Sequence, residues 1–388
     1  VNKICFLSHT SELNGAELML LQTLERIDKQ KFYPFLIVPR PGLLLAEAEK
    51  LGIEAVLFPA KWWLTERGKT WKQPLAWIWN MRALFRLVRW IRRKQVDLVF
   101  SNSSASFTGA LAAKITHVPH VWFIHEILGG EAPQICWIWG QKALALFISR
   151  FSCRILVNSQ ASGAFFFDKE NVQLVYNGIE ISERNDDAIT ILRHQWDLDK
   201  RDIVIGMVGK VCEEKGQREV IRALSRIGKD WGSLKLLIVG DVKSKAYFKE
   251  LQEICVREGL EERVVFAGYQ RDVLSALCLM DCLLVASRTE SFGRTVIEAM
   301  SVKIPVIAAK SGGIAEIIIH GKNGFLLESG KIGEIENAIV SFLDNRDSYR
   351  KVAEEGYRTV GERFGLIDQV KKIERAMEEC IGQRGESA

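Results

Sequence analysis

Residues 281–309 read DCLLVASRTESFGRTVIEAMSVKIPVIAA. A short apolar run, Asp281 to Ser287, has the length and composition of a buried strand. A polar turn follows, then a helical pattern through Met300, then a second apolar run, Ile304 to Ala309. Strand, helix and strand in so few residues are one turn of a parallel α/β sheet. Glu290 then falls in the loop at the carboxyl end of the first strand. Glu298 falls about two turns into the helix. Ligands of open α/β sheets bind at that junction, where the helix N-terminus favours an anion. Two carboxylates framing the turn suit the hydroxyls of a sugar or ribose.

The same grammar extends in both directions. Upstream, expected strands are Lys3–Ser8, Phe35–Pro39, Ala55–Phe58, Leu98–Ser101, His120–Ile124, Arg154–Asn158 and Val172–Val175. Helices are expected from Asn14 to about Ile27, up to Leu51, over 72–94 and from about Gln134 to Arg150. Asn177-Gly178-Ile179 and the polar residues to about Asp187 read as a linker. Strands Ile203–Val208, Leu234–Val239, Val264–Ala267, Leu283–Ala286, Val306–Ala308 and Gly324–Leu327 follow, separated by helices. The expected fold class is α/β, with two tandem Rossmann-like, doubly wound domains facing each other across a cleft. The expected boundaries are 1–180, 181–362 and a returning C-terminal helix over 363–388.

Composition narrows the function. The chain has 388 residues, with 48% hydrophobic and 26% charged residues, as in a water-soluble globular protein. The eight cysteines are scattered, without the paired spacing of a zinc site, and suit free thiols in a reducing compartment. The sequence opens on a strand without a signal-peptide pattern, and no apolar run is long enough to span a bilayer. A cytoplasmic location is expected. No Gly-x-Gly-x-x-Gly follows the first strand of either half, which disfavours a dinucleotide cofactor.

Charge is uneven. Residues 1–180 hold 21 Lys+Arg against 14 Asp+Glu, whereas the remainder holds 32 against 34. Nine of the 11 tryptophans lie in the basic half. Within it, the helix over 72–94 places Arg82, Arg86, Arg89 and Arg93 on one stripe. Met81, Leu84, Val88 and Ile91 lie on the opposite, sheet-facing arc. Trp79 and Trp90 flank the stripe, and Trp62 and Trp63 precede it. Arginine bordered by aromatics suits an anionic membrane surface, here the inner face, reached peripherally. No nucleic-acid recognition motif accompanies these charges.

Further polar residues fall at strand ends. Lys210 and Lys215 flank the first loop of the second half, two ammonium groups beside a helix start. Asn14-Gly15-Ala16-Glu17 forms the first strand-to-helix turn, and His125-Glu126 follows the strand His120–Ile124. With Glu290-x7-Glu298, Phe292-Gly293, Asn177-Gly178-Ile179 and Gly312-Gly313-Ile314-Ala315-Glu316, this set resembles the retaining, nucleotide-sugar-dependent glycosyltransferases of the GT-B fold, family 4.

The resemblance implies a role for each matching residue. Glu298 would bind ribose hydroxyls. Glu290 would hold the donor sugar, helped by the backbone at Phe292 and Gly293. Lys215, and Lys210 where the family more often has arginine, would neutralise the diphosphate, with backbone groups at Arg294 and Thr295. His125 would contact the donor sugar, and Gly15 would approach the phosphate or acceptor. Asn14 departs from a common glycine. His125, Glu290 and Lys215 are the candidate catalytic residues. The implied reaction moves a sugar from a UDP- or GDP-sugar to a glycan or lipid-linked acceptor, by a front-face mechanism. No Asp-x-Asp-type acidic cluster falls in the expected cleft, so no metal or other cofactor is expected. The alternatives are a nucleotide-sugar epimerase of the same fold and a non-catalytic sugar-nucleotide or glycan-binding protein.

Overall fold

The computed structural model describes residues 1–65, 69–129, 135–166, 170–181, 184–227, 231, 233–328 and 330–386, with side chains to residue 383. The chain divides into two compact units. Unit 1 comprises residues 1–178 and 366–388, and unit 2 comprises residues 179–365.

Unit 1 is built from seven parallel strands. They are β1 (Asn2–Ser8), β2 (Phe32–Val38), β3 (Glu54–Leu57), β4 (Leu98–Asn102), β5 (His120–Ile124), β6 (Arg154–Val157) and β7 (Val172–Leu174). The helices between them are α1 (Gly15–Arg26), α2 (Leu43–Lys50), α3 (Gln73–Lys94), α4 (Thr108–Thr116), α5 (Gln141–Arg150) and α6 (Gln160–Gly163). The spatial order is β3-β2-β1-β4-β5-β6-β7, so the order reverses between β1 and β4.

Unit 2 opens with α7 (Asp186–Gln195). Its six strands are β8 (Ile203–Val208), β9 (Leu234–Val239), β10 (Val264–Gly268), β11 (Cys282–Val285), β12 (Val306–Ala309) and β13 (Phe325–Leu327). Its other helices are α8 (Gln217–Arg226), α9 (Lys245–Glu258), α10 (Val273–Leu277), α11 (Arg294–Ser301), α12 (Ile314–Ile317), α13 (Ile332–Asp344) and α14 (Arg346–Arg363). The order β10-β9-β8-β11-β12-β13 reverses between β8 and β11. Two parallel, doubly wound sheets are thus present.

Burial on both faces explains the apolar strands. Ile4 and Phe6 of β1 pack on one side of their sheet, whereas Cys5 and Leu7 pack on the other with Leu84, Leu87 and Ile91 of α3. The last helix, α15 (Leu366–Glu386), covers the first side, where Ile373, Ala376, Met377 and Cys380 join the core. The Gly178 N–H donates to Gln369 Oε1 at 2.5 Å, which ties the end of residues 1–178 to that helix.

Several sequence expectations change. The residues read as a linker already begin α7 at Asp186; residues 182 and 183 lie outside the described residues. Helix α5 starts at Gln141, and the expected start at Gln134 lies outside them too. On α3, Arg82, Arg86, Arg89 and Arg93 are exposed, as the helical spacing predicts. Trp90 is buried instead of flanking them. It meets the rings of Phe35 and Phe58 edge-on at 5.1 and 6.1 Å. Trp63 is likewise core, with its indole N–H donating to Thr108 Oγ1 at 2.8 Å. Met81 is exposed, because the arc that buries Val88 is uncovered two turns earlier. Glu298 is the fifth residue of α11, little more than one turn from its start.

Candidate functional site

Each sheet has one switch point, the place where open α/β sheets bind their ligands. In unit 2 the loops there follow β8 and β11, and they are joined directly. The Arg288 N–H donates to the Glu214 carbonyl at 2.9 Å. Gly216, at φ 73°, lies against the end of β11, where a Cβ would come within 2.4 Å of the Ala286 carbonyl oxygen. Glycine is required there for both conformation and space.

The approach brings Lys215 to Glu290, Nζ to Oε2 at 2.5 Å. Both side chains are mostly buried, 29% and 19% exposed. Burial pulls the Lys215 ammonium down, but the charge and hydrogen bond of Glu290 outweigh it and hold the group above the ordinary lysine range. The turn carrying Glu290 is braced from behind. The Gly313 N–H donates to the Glu290 carbonyl at 3.0 Å, and a Cβ on Gly313 would lie 2.5 Å from the Ser291 carbonyl oxygen. Phe292 is buried against Phe364, with ring centroids 5.8 Å apart. Gly293, at φ 99°, caps α11.

Arg294 does more than the sequence reading assigned to it. Its Nε donates to Glu298 Oε1 at 2.7 Å, and both side chains are nearly buried. The expected nucleotide anchor is therefore held by a cation four residues earlier, on the same helix face. Thr295 is partly buried in the same first turn. Lys210 is exposed, and its carbonyl accepts from Gln217 Nε2 at 3.0 Å. Its side chain is not drawn into the Lys215–Glu290 pair. A cavity of about 540 Å³ opens beside this group, lined by Arg288, Lys310, Ser311 and Glu328 among others. None of Lys215, Glu290 and Glu298 lines it.

In unit 1 the switch point lies between β1 and β4. Gly15 is the first residue of α1, and Asn14 precedes it without a side-chain cap bond. His125, just past β5, is buried, and its Nε2 pairs with Asn102 Oδ1 at 2.9 Å. Its Nδ1 is buried without a hydrogen-bond partner. Burial lowers the His125 pKa to about 4, despite the opposing charge of Glu126, so the ring is neutral. The Glu126 carboxylate accepts from the His125 backbone N–H at 3.3 Å. It also accepts from the Ser103 hydroxyl and, at 3.0 Å, from the Ser104 hydroxyl.

Three residues here were missed as site candidates. Ser103 holds φ 132°, a strained conformation for a side-chain-bearing residue. Trp122 Nε1 fixes it by donating to its carbonyl at 2.7 Å. Glu17 is buried, with Oε1 3.5 Å from His9 Nδ1. Burial pushes the Glu17 carboxyl up, and His9 opposes that. Only the Gly15-Ala16-Glu17 string hinted at Glu17, and nothing in the local pattern marked His9 or the Ser103 backbone.

The family model described as Glycosyltransferase Family 4 matches residues 13–183, and that described as Glycosyl transferases group 1 matches residues 188–359. The chain belongs to the GT-B glycosyltransferases of the family 4 type. It is 28% identical over 195 residues to N-acetyl-alpha-D-glucosaminyl L-malate synthase of Bacillus anthracis, covering 50% of each chain. It is 24% identical over 188 residues to the capsular polysaccharide biosynthesis glycosyltransferase CapM of Staphylococcus aureus, covering 48% of this chain and 49% of that one. The chain thus spans about half the length of the curated relatives it matches. Among solved structures, Anabaena Alr3699/HepE in complex with UDP and glucose is similar at a TM-score of 0.83 and 26% identity. That match covers 97% of this chain and 100% of the other.

Proposed function

We propose that the protein is a retaining glycosyltransferase that moves a sugar from a nucleotide-diphosphate donor to a glycan or lipid-linked acceptor. The observation that carries this reading is the Lys215–Glu290 pair at the switch point of unit 2, beside the start of α11. Lys215 keeps two further N–H donors for a phosphate oxygen while one serves Glu290. Breaking the anomeric bond puts negative charge on the leaving diphosphate. Lys215, Lys210 and the positive end of α11 stabilise it. Glu290 positions donor hydroxyls, the backbone at Phe292 and Gly293 adds contacts, and the backbone at Arg294 and Thr295 meets the diphosphate. Glu298, steadied by Arg294, anchors the ribose. UDP is the favoured nucleotide, since the similar Anabaena protein is described in complex with UDP. Within unit 1, the neutral ring of His125 offers its unpartnered Nδ1 to a sugar hydroxyl, and the turn at Gly15 is the backbone expected to approach a phosphate or acceptor.

In this reading the leaving phosphate takes the acceptor proton, and the lysines do the work a metal ion would do. Activity that vanishes in chelator and returns with manganese overturns metal independence. Inverted products, or a trapped glycosyl-enzyme in Glu290→Gln, overturn the front-face step. Donor turnover with UDP-sugars and GDP-sugars, preceded by a thermal-shift panel of both, tests the reading as a whole. Saturable binding with no transfer would leave the glycan-binding alternative, and sugar isomerisation without an acceptor the epimerase.

The acceptor side includes a membrane surface. Trp71, Leu75, Ile78, Trp79 and Phe85 are exposed near the arginine stripe of α3, and Lys61 sits over the Trp79 ring at 4.8 Å. Among the described residues no helix is long and apolar enough to cross a membrane, so the proposed contact is peripheral. Flotation with anionic liposomes checks it, and no binding at low salt refutes it.

A further inference from the structure

Two thiols of unit 1 take no part in the chemistry above. Cys153 lies just before β6, and Cys380 lies on the inward side of α15. Two hydrogen bonds set the strand start against that helix. Arg154 Nη2 donates to Glu379 Oε2 at 2.8 Å, one residue beside each cysteine. The Cys153 thiol donates to Gln383 Oε1 at 3.1 Å, one turn past Cys380. These bonds bring Cys153 and Cys380 close enough for each to shift the ionisation of the other. Cys380 is 1% exposed within the core, whereas Cys153 is only half-buried.

The pair is chemically asymmetric. The hydrogen bond from Cys380 lowers the Cys153 pKa, burial opposes it, and the Arg154 guanidinium assists. The same contact and burial push Cys380 far up. Burial also raises Cys5, Cys212, Cys255, Cys278 and Cys282. A part-exposed thiol beside a guanidinium and a second thiol is the arrangement in which oxidation is selective and reversible.

We propose that Cys153 is a site of hydroperoxide oxidation and that Cys380 resolves it as an intramolecular disulfide fastening α15 to β6. The Cys153 thiolate attacks one peroxide oxygen. The S–O bond forms, the O–O bond breaks, and hydroxide leaves and takes a proton to become water. Cys153 is oxidised to a sulfenic acid and the peroxide is reduced. Cys380 then gives up its proton, its sulfur attacks Cys153 Sγ, and the S–O bond breaks to release a second water. A dithiol reductant reverses the change. The closed loop runs from 153 to 380 and contains all of unit 2, so the link constrains a long stretch of the unfolded chain.

Peptide mapping of the full chain titrated with hydrogen peroxide tests this. The expected result is a Cys153–Cys380 cross-linked peptide, an intact mass lower by two hydrogens, and a Tm raised by about 5 °C that dithiothreitol reverses. In Cys380→Ser, oxidation should stop at a sulfenic acid on Cys153, captured by dimedone. In Cys153→Ser, neither product should form. Oxidation spread evenly over the eight cysteines, or Cys153 paired with a different cysteine, overturns the proposal. If Cys380→Ser does not fold, the wild-type peptide map decides alone.

Discussion

The two switch points use the same backbone device and opposite electrostatics. In unit 2 the loops after β8 and β11 hold charge against charge, Lys215 on Glu290 and Arg294 on Glu298. In unit 1 the loops after β1, β4 and β5 hold a neutral imidazole on an amide, and a carboxylate on two serine hydroxyls. A charged crevice suits a charged ligand, because paired ions can exchange one partner for another without being stranded. A site of imidazole, amide, carboxylate and hydroxyls, with no cation paired to that carboxylate among the described residues, suits the hydroxyls of a sugar. The contrast explains why the carboxylates of the acidic half and the histidine of the basic half should not be assigned like tasks.

The largest expected effect lies in unit 2. Lys215→Ala should lower donor turnover about 10²–10³-fold, measured as kcat/KM, by removing the cation proposed to face the leaving group. Loss under tenfold would remove unit 2 as the charged crevice. Acid should expose unit 1 next. His120 and His125 fold neutral, with pKa values lowered mainly by burial to about 3 and about 4 from 6.5. The unfolded chain binds more protons in that range, so their stabilisation is whole above pH 6.5 and is lost as pH falls through those values. For His125 the move from 6.5 to about 4 is worth about 3 kcal/mol. The raised Glu17 carboxyl works in the reverse sense and offsets part of it. Denaturant unfolding from pH 7 to 4 checks the slope, and His125→Asn should flatten it.

Smaller effects sharpen the comparison. Gly313→Ala would force its methyl against the Ser291 carbonyl and the Phe292 Cα, and should destabilise by about 1–3 kcal/mol in thermal melts while moving Glu290. Glu298→Gln should raise KM for the donor about tenfold, about 1.4 kcal/mol, with kcat nearly unchanged. A kcat loss of equal size would shift Glu298 from anchoring to chemistry.

Much of this was legible in the residues, for a physical reason. Buried parallel strands are near-continuous apolar runs, so β5, β8 and β9 were placed to the residue, and the polar groups at their carboxyl ends came with them. Helix α4 escaped notice because TGALAAKIT has small residues around most of its circumference and no sharp apolar stripe. Trp90 was misplaced because helical angles put it near two arginines, and only the tertiary neighbours Phe35 and Phe58 pull it inward. The Glu290 turn was visible, but its brace was not. The Gly313 N–H to Glu290 carbonyl bond joins two loops, and nothing in the spacing of either demands it.

Helix α15 has a consequence for synthesis. Unit 2 is one uninterrupted stretch, 179–365, and can complete its core as soon as that stretch has left the ribosome. Unit 1 begins first but finishes last. The inner strip Ile373, Ala376, Met377 and Cys380 emerges some two hundred residues after β6 and β7. Until then the face built on Ile4, Phe6 and Phe100 is covered by Leu20 and its neighbours on α1 and α2 but lacks its final helix, and the nascent protein carries a partly open apolar face throughout the translation of its second half. Chaperone dependence should therefore track the first unit, and truncation before residue 373 should trap it in that unfinished state.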